Sequence, residues 1–402
     1  MRFLSFLHDN ARWLTGGFLL TLFSSYGQTF YIALSSGGIR EELGLSHGDF
    51  GWIYMLATLL SAAMIPFTGR LADTMRIERY AIFVIVGLAL SMLLLAHAHH
   101  VAVLFVALAA LRMFGQGLMG HTAMTAMGRW FTLTRGKAVS TAALGHQLGE
   151  SVMPISFVAL AAAYGWRDGW SLNAGFLLLC VLPAVHVLMR VPREPHPSEK
   201  EKLIEGRQWT RGELIRDPLF WPLIFVLLAP PVIGTVIFFH QVYLAELRGW
   251  ALGQFAGSTP VLSVAAIAMT FVSGQLIDKY HSAVLLPAML VFTAIANLAL
   301  ALVPGAWAIV IFMAFMGGAF GIYATVFGAI WPELYGTRHL AAIKSMVTSI
   351  MVFSTAVGPG LSGWLIDLGV AYPVMIAAMA SYALLAAIAA IFIARVAGLR
   401  LA

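Results

Sequence analysis

Twelve times along its 402 residues the chain runs for about twenty residues with few or no charges. A helix of about 20 mostly apolar residues spans the hydrocarbon core of a bilayer, and a chain with many such runs reads as a polytopic membrane protein. Split at Pro/Gly turns, the runs fall at 13–36, 49–68, 79–98, 101–128, 137–163, 169–190, 218–243, 252–275, 283–302, 306–331, 340–366 and 370–394. Two divisions rest on short signals. No Asp, Glu, Lys or Arg occurs between Tyr280 and Pro332, and that stretch is divided at "VPGAW", 303–307. The third and fourth runs are separated at "HAHH", 97–100. The expected fold is an all-α membrane protein with twelve transmembrane helices.

Composition agrees. Hydrophobic residues make up 60% of the chain and charged residues only 10%, where a soluble domain carries about a quarter. The net charge of +6 does not point to nucleic acid, because the basic residues sit in short loops and form no continuous stripe. The single cysteine, Cys180, lies within an apolar run and allows no internal disulfide. The opening "MRFLSFLHDNARW" has no cleavage-site pattern, so the first run reads as a retained helix. Gly115-Gln-Gly117-Leu-Met-Gly120 fits a dinucleotide fingerprint literally, but no strand precedes it and it lies inside an apolar helix. There is no Walker A sequence and no metal-spaced Cys/His cluster, and nothing supports covalent catalysis. No enzyme activity and no cofactor are expected.

Charge sets the topology. With the N-terminus inside, 20 of the 24 Lys and Arg residues fall on the inner side. Arg40, Arg167 and Arg248 lie outside, and Arg112 lies within a span. The excess of positive loops predicts both termini in the cytoplasm of a multi-pass plasma-membrane protein, the inner membrane if the cell is bacterial. The longest polar stretch, 191–217, reads as a cytoplasmic linker with a short amphipathic helix around 199–216. It divides the chain into 1–190 and 218–402, with six helices each.

The halves repeat one another. Gly69-Arg-Leu-Ala-Asp73 follows the second run, and Gly274-Gln-Leu-Ile-Asp278 follows the eighth. Thr134-Arg135 opens the fifth run and Thr337-Arg338 the eleventh. Two motifs recurring in order, about 205 residues apart, indicate internal duplication and hence two pseudo-symmetric six-helix bundles. The cytoplasmic N-termini of the fifth and eleventh helices carry unpaired N–H groups and partial positive charge. Asp73 is placed to accept from the eleventh helix and Asp278 from the fifth, each contact worth about 0.3–2 kcal/mol. Asp73, Arg76, Asp278, Arg135 and Arg338 are therefore gating candidates. The alternative is that they serve loop solubility and topology.

Twelve helices, a mid-chain loop and G-x-L-x-D after helices 2 and 8 resemble the major facilitator superfamily over the whole chain. "RMFGQG", 112–117, is similar to the family's arginine-containing motif in helix 4. "GRWFTLTRGKAVSTAALGHQLG" and "ELYGTRHLAAIKS" resemble the branch of monocarboxylate transporters and the oxalate:formate antiporter. Departures exist. "DTMRIERY" puts Thr74 where a base is usual and Arg76 where a glycine is, and helix 8 lacks the mid-membrane basic residue of that branch. The resemblance implies a monomeric secondary transporter with a central cavity and rocking-type alternating access.

Arg112 and Glu150 are the only base and acid placed mid-span, at similar depth. A charge there costs roughly 2.5–3.5 kcal/mol even on the lenient insertion scale. Two opposite charges at one depth suggest a pair or a shared water-filled cavity. Hydrocarbon favours a neutral carboxyl, and a nearby guanidinium favours the ionised one. That competition makes a proton switch, in which a substrate carboxylate takes Arg112 and Glu150 takes a proton. His146, one turn toward the cytoplasm, is a relay candidate, and Gln116 shares Arg112's side of its helix. The alternative is a static pair that orients two helices. His121, nine residues after Arg112, falls on the opposite side of an α-helix and reads as a hydrogen-bonded packing residue.

Thr21, Ser24, Gln28 and Tyr31 form one polar stripe that lines a transport path or glues helices together. Pro230-Pro231 breaks or kinks helix 7, with His240 following near its outer end. Gly317, Gly318 and Gly321 permit close packing of helix 10, and Tyr323 beside them is a further cavity candidate. Phe315 and Phe353 stand where the repeat would place Arg112 and Glu150, so the first half is expected to handle protons.

The expected function is transport of a small organic solute, a carboxylate anion, across the lipid bilayer with protons as the coupling ion. Two rivals remain: a proton-driven exporter of amphipathic or cationic compounds, and a membrane sensor that binds without transporting.

Overall fold

The computed structural model describes residues 3–69, 71–131, 134–191, 193, 208–336 and 339–401. These divide into two compact units, Met1–Lys200 and Glu201–Ala402. In the first unit a short helix, Phe3–Asp9, precedes α1 (Ala11–Phe23), which continues in short helical pieces to Leu43. Then come α2 (His47–Gly69), α3 (Ile77–Ala96), α4 (Val101–Trp130), α5 (Arg135–Tyr164) and α6 (Trp166–Met189). In the second unit a short helix, Arg211–Arg216, precedes α7 (Phe220–Phe239) and its continuation Gln241–Arg248. There follow α8 (Thr259–Lys279), α9 (Leu286–Leu302), α10 (Trp307–Tyr335), α11 (Leu340–Asp367) and α12 (Tyr372–Leu401). Each of the twelve expected spans is thus built on helix, the first with an interruption.

Ten of the described helices are long and apolar enough to cross a bilayer. The other two are informative. The first span is interrupted, so none of its pieces is long enough. The fifth, α5, carries His146, Gln147 and Glu150 in its middle and falls short on composition. Outward faces are strongly apolar: Phe67, Leu179, Phe271 and Leu385 each expose more than two thirds of their surface. Facing water, such a surface would be unfavourable; facing lipid, it is matched.

Small residues set the tightest helix contacts. On α5, side chains at Gly145 and Gly149 would strike the Phe18 and Leu22 carbonyls of α1. Thr21 Oγ1 donates to the Ala142 carbonyl across the same contact at 2.5 Å. In the second unit, side chains at Gly317 and Gly321 of α10 would strike the Leu262 and Ala266 carbonyls of α8. Gly318 instead makes room for the Phe292 ring. Both prolines of Pro230-Pro231 lie within a continuous α7, so the pair does not break the helix.

The arginines on the scarcely charged side have structural partners. Arg167 donates to the Ala96 and Ala98 carbonyls at the end of α3, at 2.6 and 2.9 Å, and pairs with Glu42 at 2.6 Å. Burial pushes the Glu42 carboxyl up, but the hydrogen bonds from Arg167 and Trp166 outweigh it and hold the group below the usual carboxylate range. Arg248 donates to the Leu300 carbonyl at the end of α9, and Arg40 contacts His47 at 3.1 Å. Each of the first two satisfies C-terminal carbonyls that a helix leaves unpaired.

A buried ion pair joins two positions far apart in the chain. Asp217, just ahead of α7, is buried and receives Arg400 of α12 through two bonds of 2.7 Å. The Tyr335 hydroxyl donates to it at 2.8 Å and the Leu219 N–H at 3.3 Å. Burial raises the Asp217 carboxyl, but bonds from Arg400 and Tyr335 prevail and hold it below the usual range.

Candidate functional site

The site is built from an interruption in the first span. After Phe23 the helix tightens to a 3₁₀ turn over Ser24–Gly27, and Gln28 is extended, with φ −83° and ψ 151°. The helix restarts at Thr29. The cause is a backbone contact. A side chain at Gly27 would strike the Leu111 carbonyl, the Gln116 N–H and Gly115 of α4, and one at Gly115 would strike Gly27 in return. In an unbroken helix the N–H of residue 31 would bond the Gly27 carbonyl. Here the Tyr31 and Ile32 N–H groups both bond the Gln28 carbonyl, each at 3.1 Å. The Gly27 carbonyl is left needing a donor within a buried region.

Arg112 supplies it. Its Nη1 donates to the Gly27 carbonyl at 3.1 Å and to Thr29 Oγ1 at 3.3 Å. The guanidinium lies over the Tyr54 ring, 5.4 Å from its centroid, and the Tyr54 hydroxyl donates to the same Thr29 Oγ1 at 2.8 Å. Arg112 opens a π-helical stretch, Arg112–Met119. Such bulges recur at functional sites. Arg112 is 4% exposed, and its Nε, also buried, has no hydrogen-bond partner. No carboxylate pairs with it among the described residues. A buried guanidinium without a counter-ion is costly, and its Nε–H is left without an acceptor.

Glu150 sits on α5 beside the glycine face that meets α1. It is half-buried and makes no hydrogen bond or ion pair among the described residues. A direct Arg112–Glu150 ion pair is therefore not formed. His146, one turn earlier, is half-buried with its ring 6.5 Å from that of Phe30. Gln116 lies in the π-helical stretch and is half-buried.

The polar stripe of the first span does not survive the interruption. Thr21 bonds helix backbone at Phe18 and Ala142, and Ser24 bonds the Thr21 carbonyl at 2.6 Å. Tyr31 is fully buried, its ring edge-on to Trp170 and Phe157 at 5.1 and 5.0 Å. These three are buried within the first unit; Gln28, at the interruption, stays partly exposed. His121 is exposed beside Gly69, not a buried packing residue.

In the second unit His240 is buried, with Nε2 2.8 Å from Ser362 Oγ. Its ring lies against Phe239 and Tyr372. The Tyr323 hydroxyl meets Met351 Sδ at 3.0 Å. Both tie neighbouring helices together. Of the gating candidates, Arg338 lies outside the described residues, and so do the side chains of Asp73, Arg135 and Asp278. Arg76 is engaged within its own unit: it pairs with Glu78 at 3.3 Å and donates to the Arg190 carbonyl at 3.2 Å. Among the described residues no cluster of His, Cys, Asp and Glu could hold a metal ion.

Sequence reasoning missed Gly27, Tyr54 and Thr29. Gly27 carried a signal, a glycine between polar residues inside an apolar run. Tyr54 carried none.

The chain is similar to known transporters in sequence and in fold. It is 28% identical to monocarboxylate transporter 14 of Homo sapiens over 163 residues, 40% of this chain and 32% of that protein. The match thus spans about a third of that relative's length. It is 22% identical to monocarboxylate transporter 4 of Rattus norvegicus over 370 residues, 88% of this chain and 76% of that one. The fold matches that of a peptide transporter, POT, in complex with alafosfalin, with a TM-score of 0.70 and 16% identity over 96% of this chain and 95% of that one. The sequence profile of the Major Facilitator Superfamily matches residues 17–313. The chain belongs to the Major Facilitator Superfamily, a family of membrane transporters and not of enzymes.

Proposed function

We propose that the chain moves a small organic carboxylate across the plasma membrane by alternating access, driven by protons. The observation that carries this reading is Arg112: a buried guanidinium with a free Nε–H and no counter-ion among the described residues. A substrate carboxylate supplies the missing charge. Glu150, unpaired on the adjacent α5, carries the coupled proton, and His146 passes it toward the cytoplasmic end. The likeness to monocarboxylate transporters supports the substrate class. The chain acts as a monomer, with both termini cytoplasmic. Asp73, Asp278, Arg135 and Arg338 close the inner side, and Arg76 steadies the loop that bears Asp73.

The test is thermal stabilisation of the purified protein by carboxylates, amines and sugars at pH 5.5 and 7.5. One carboxylate should stabilise the parent. Arg112→Ala should weaken that carboxylate roughly 10- to 150-fold, the worth of a hydrogen bond to a charged group at about 1.5–3 kcal/mol. Glu150→Gln should bind it with no difference between the two pH values. Stabilisation by amines alone, or unaltered binding in both variants, would make the site a cation site or scaffolding.

A further inference from the structure

A long groove runs down the exposed, apolar side of α3 where it meets α4. Its volume is about 780 Å³, the size of a small-ligand pocket. Arg79 stands at one end and Leu94 at the other, with Phe83, Gly87 and Leu90 between. These residues recur at spacings of three and four, so they share one face of α3. Gly87 creates the depth: any side chain there would collide with the Phe114 ring of α4, which fills the gap. Phe83 and Phe114 meet edge to face at 5.6 Å and form the floor. Phe83, Leu90 and Leu94 remain 39%, 58% and 36% exposed. Fifteen residues of helix separate the ends, roughly 22 Å at 1.5 Å per residue. One leaflet of hydrocarbon is about 15 Å deep, so the groove holds an extended acyl chain and reaches the headgroup.

The end chemistry is specific. Arg79 is exposed and makes no ion pair or hydrogen bond among the described residues. The acid beside it does not neutralise it, because Glu78 contacts Arg76 at 3.3 Å and His186 at 2.9 Å. An apolar trough on a membrane-facing helix that ends in an unpaired guanidinium at the headgroup level matches one ligand class. We infer that this groove is a binding site for a single anionic phospholipid, with one acyl chain along Phe83, Leu90 and Leu94 and the phosphate on Arg79. The groove shares Phe114 with the π-helical stretch but does not include Arg112, and the inference does not rest on the transport reading.

The full chain in detergent micelles is exposed to phosphatidylglycerol or phosphatidylcholine with identical chains, and retained lipid is weighed by native mass spectrometry. The parent retains one phosphatidylglycerol in preference to phosphatidylcholine. Arg79→Gln lowers that preference about fivefold, the factor for about 1 kcal/mol per basic residue at an anionic surface. Leu90→Trp fills the groove from its exposed side and loses both lipids. Equal retention of both lipids by all three proteins overturns the site and leaves bulk boundary lipid. A dimer mass that Leu90→Trp abolishes also overturns it and assigns the face to a second copy.

Discussion

Arg112 and Asp217 are both buried ionic residues, and they are accommodated in opposite ways. Asp217 has a guanidinium, a hydroxyl and a backbone N–H around it. Arg112 has a carbonyl, a hydroxyl and an aromatic face, but no opposite charge among the described residues. The first arrangement is complete and structural; the second leaves the Arg112 Nε–H without an acceptor. Removing one partner of a fully buried pair costs about 3–5 kcal/mol. Arg400 keeps 31% of its side-chain exposure, so about 1–3 kcal/mol is expected for Asp217→Asn. The Asp217 carboxyl is held below its ordinary value. Its contribution is therefore fully present above the unfolded aspartate value of ~3.9, and is lost as pH falls through the lower folded value. Melting curves in detergent should show a constant deficit for Asp217→Asn from pH 5 to 8, closing only in more acid solution. A deficit that varies between pH 5 and 8 would show that another group governs the pair.

At the scale of elements, the interruption of the first span and the π-helical stretch of α4 form one device. Gly27 and Gly115 let two backbones touch, and Arg112 satisfies the carbonyl that the interruption leaves open. Gly27→Ala should cost about 1–3 kcal/mol as an overpacked contact, because the atoms it meets are backbone and cannot swing aside. It should also weaken carboxylate binding, since Arg112 loses its anchor. Gly120→Ala is the control on the same helix. A side chain there meets nothing within 4 Å, and replacing a mid-helix glycine gains roughly 0.5–1 kcal/mol. Thermal melting of the two variants separates a contact effect from a glycine effect; equal behaviour would show that the backbone contact carries no weight. The same device marks where sequence reading stops. The spans were legible because hydropathy is summed over twenty residues. The stripe Thr21, Ser24, Gln28 and Tyr31 was not, because its periodicity assumed one unbroken helix. His121 is exposed where Arg112 is buried, as expected for opposite sides of one helix; what the sequence did not show is that this side is uncovered. Asp217 was read as linker because its partner, Arg400, lies 183 residues away.

For the whole molecule, duplication sets up a contrast that experiment can use. Each unit carries an arginine and aromatic cluster near the start of its first span. Phe6 and Phe131 meet edge-on with Arg193 over Phe131; Trp209 and Tyr335 meet edge-on with Arg400 over Trp209. These pairs stand about 205 residues apart, the spacing of the repeated loop motifs, so the scaffold is duplicated. The mid-span chemistry is not. Where the first unit has Arg112 and Glu150, the second has Phe315, its ring tilted against Phe292 at 5.3 Å, and Phe353, 59% exposed. An aromatic ring takes up no proton between pH 5 and 8, so under the proposed mechanism the coupled proton falls to Glu150 of the first unit, and Phe315 and Phe353 act only through shape. Uptake into proteoliposomes under an imposed pH gradient tests the division. Tyr323→Phe and Phe353→Ala should alter KM or the preferred chain length of the carboxylate while the ratio of uptake with and without the gradient stays at the parent value. Glu150→Gln should bring that ratio to one. A changed ratio in either second-unit variant would mean that proton coupling is shared between the halves, and the asymmetry of charge would then need another explanation.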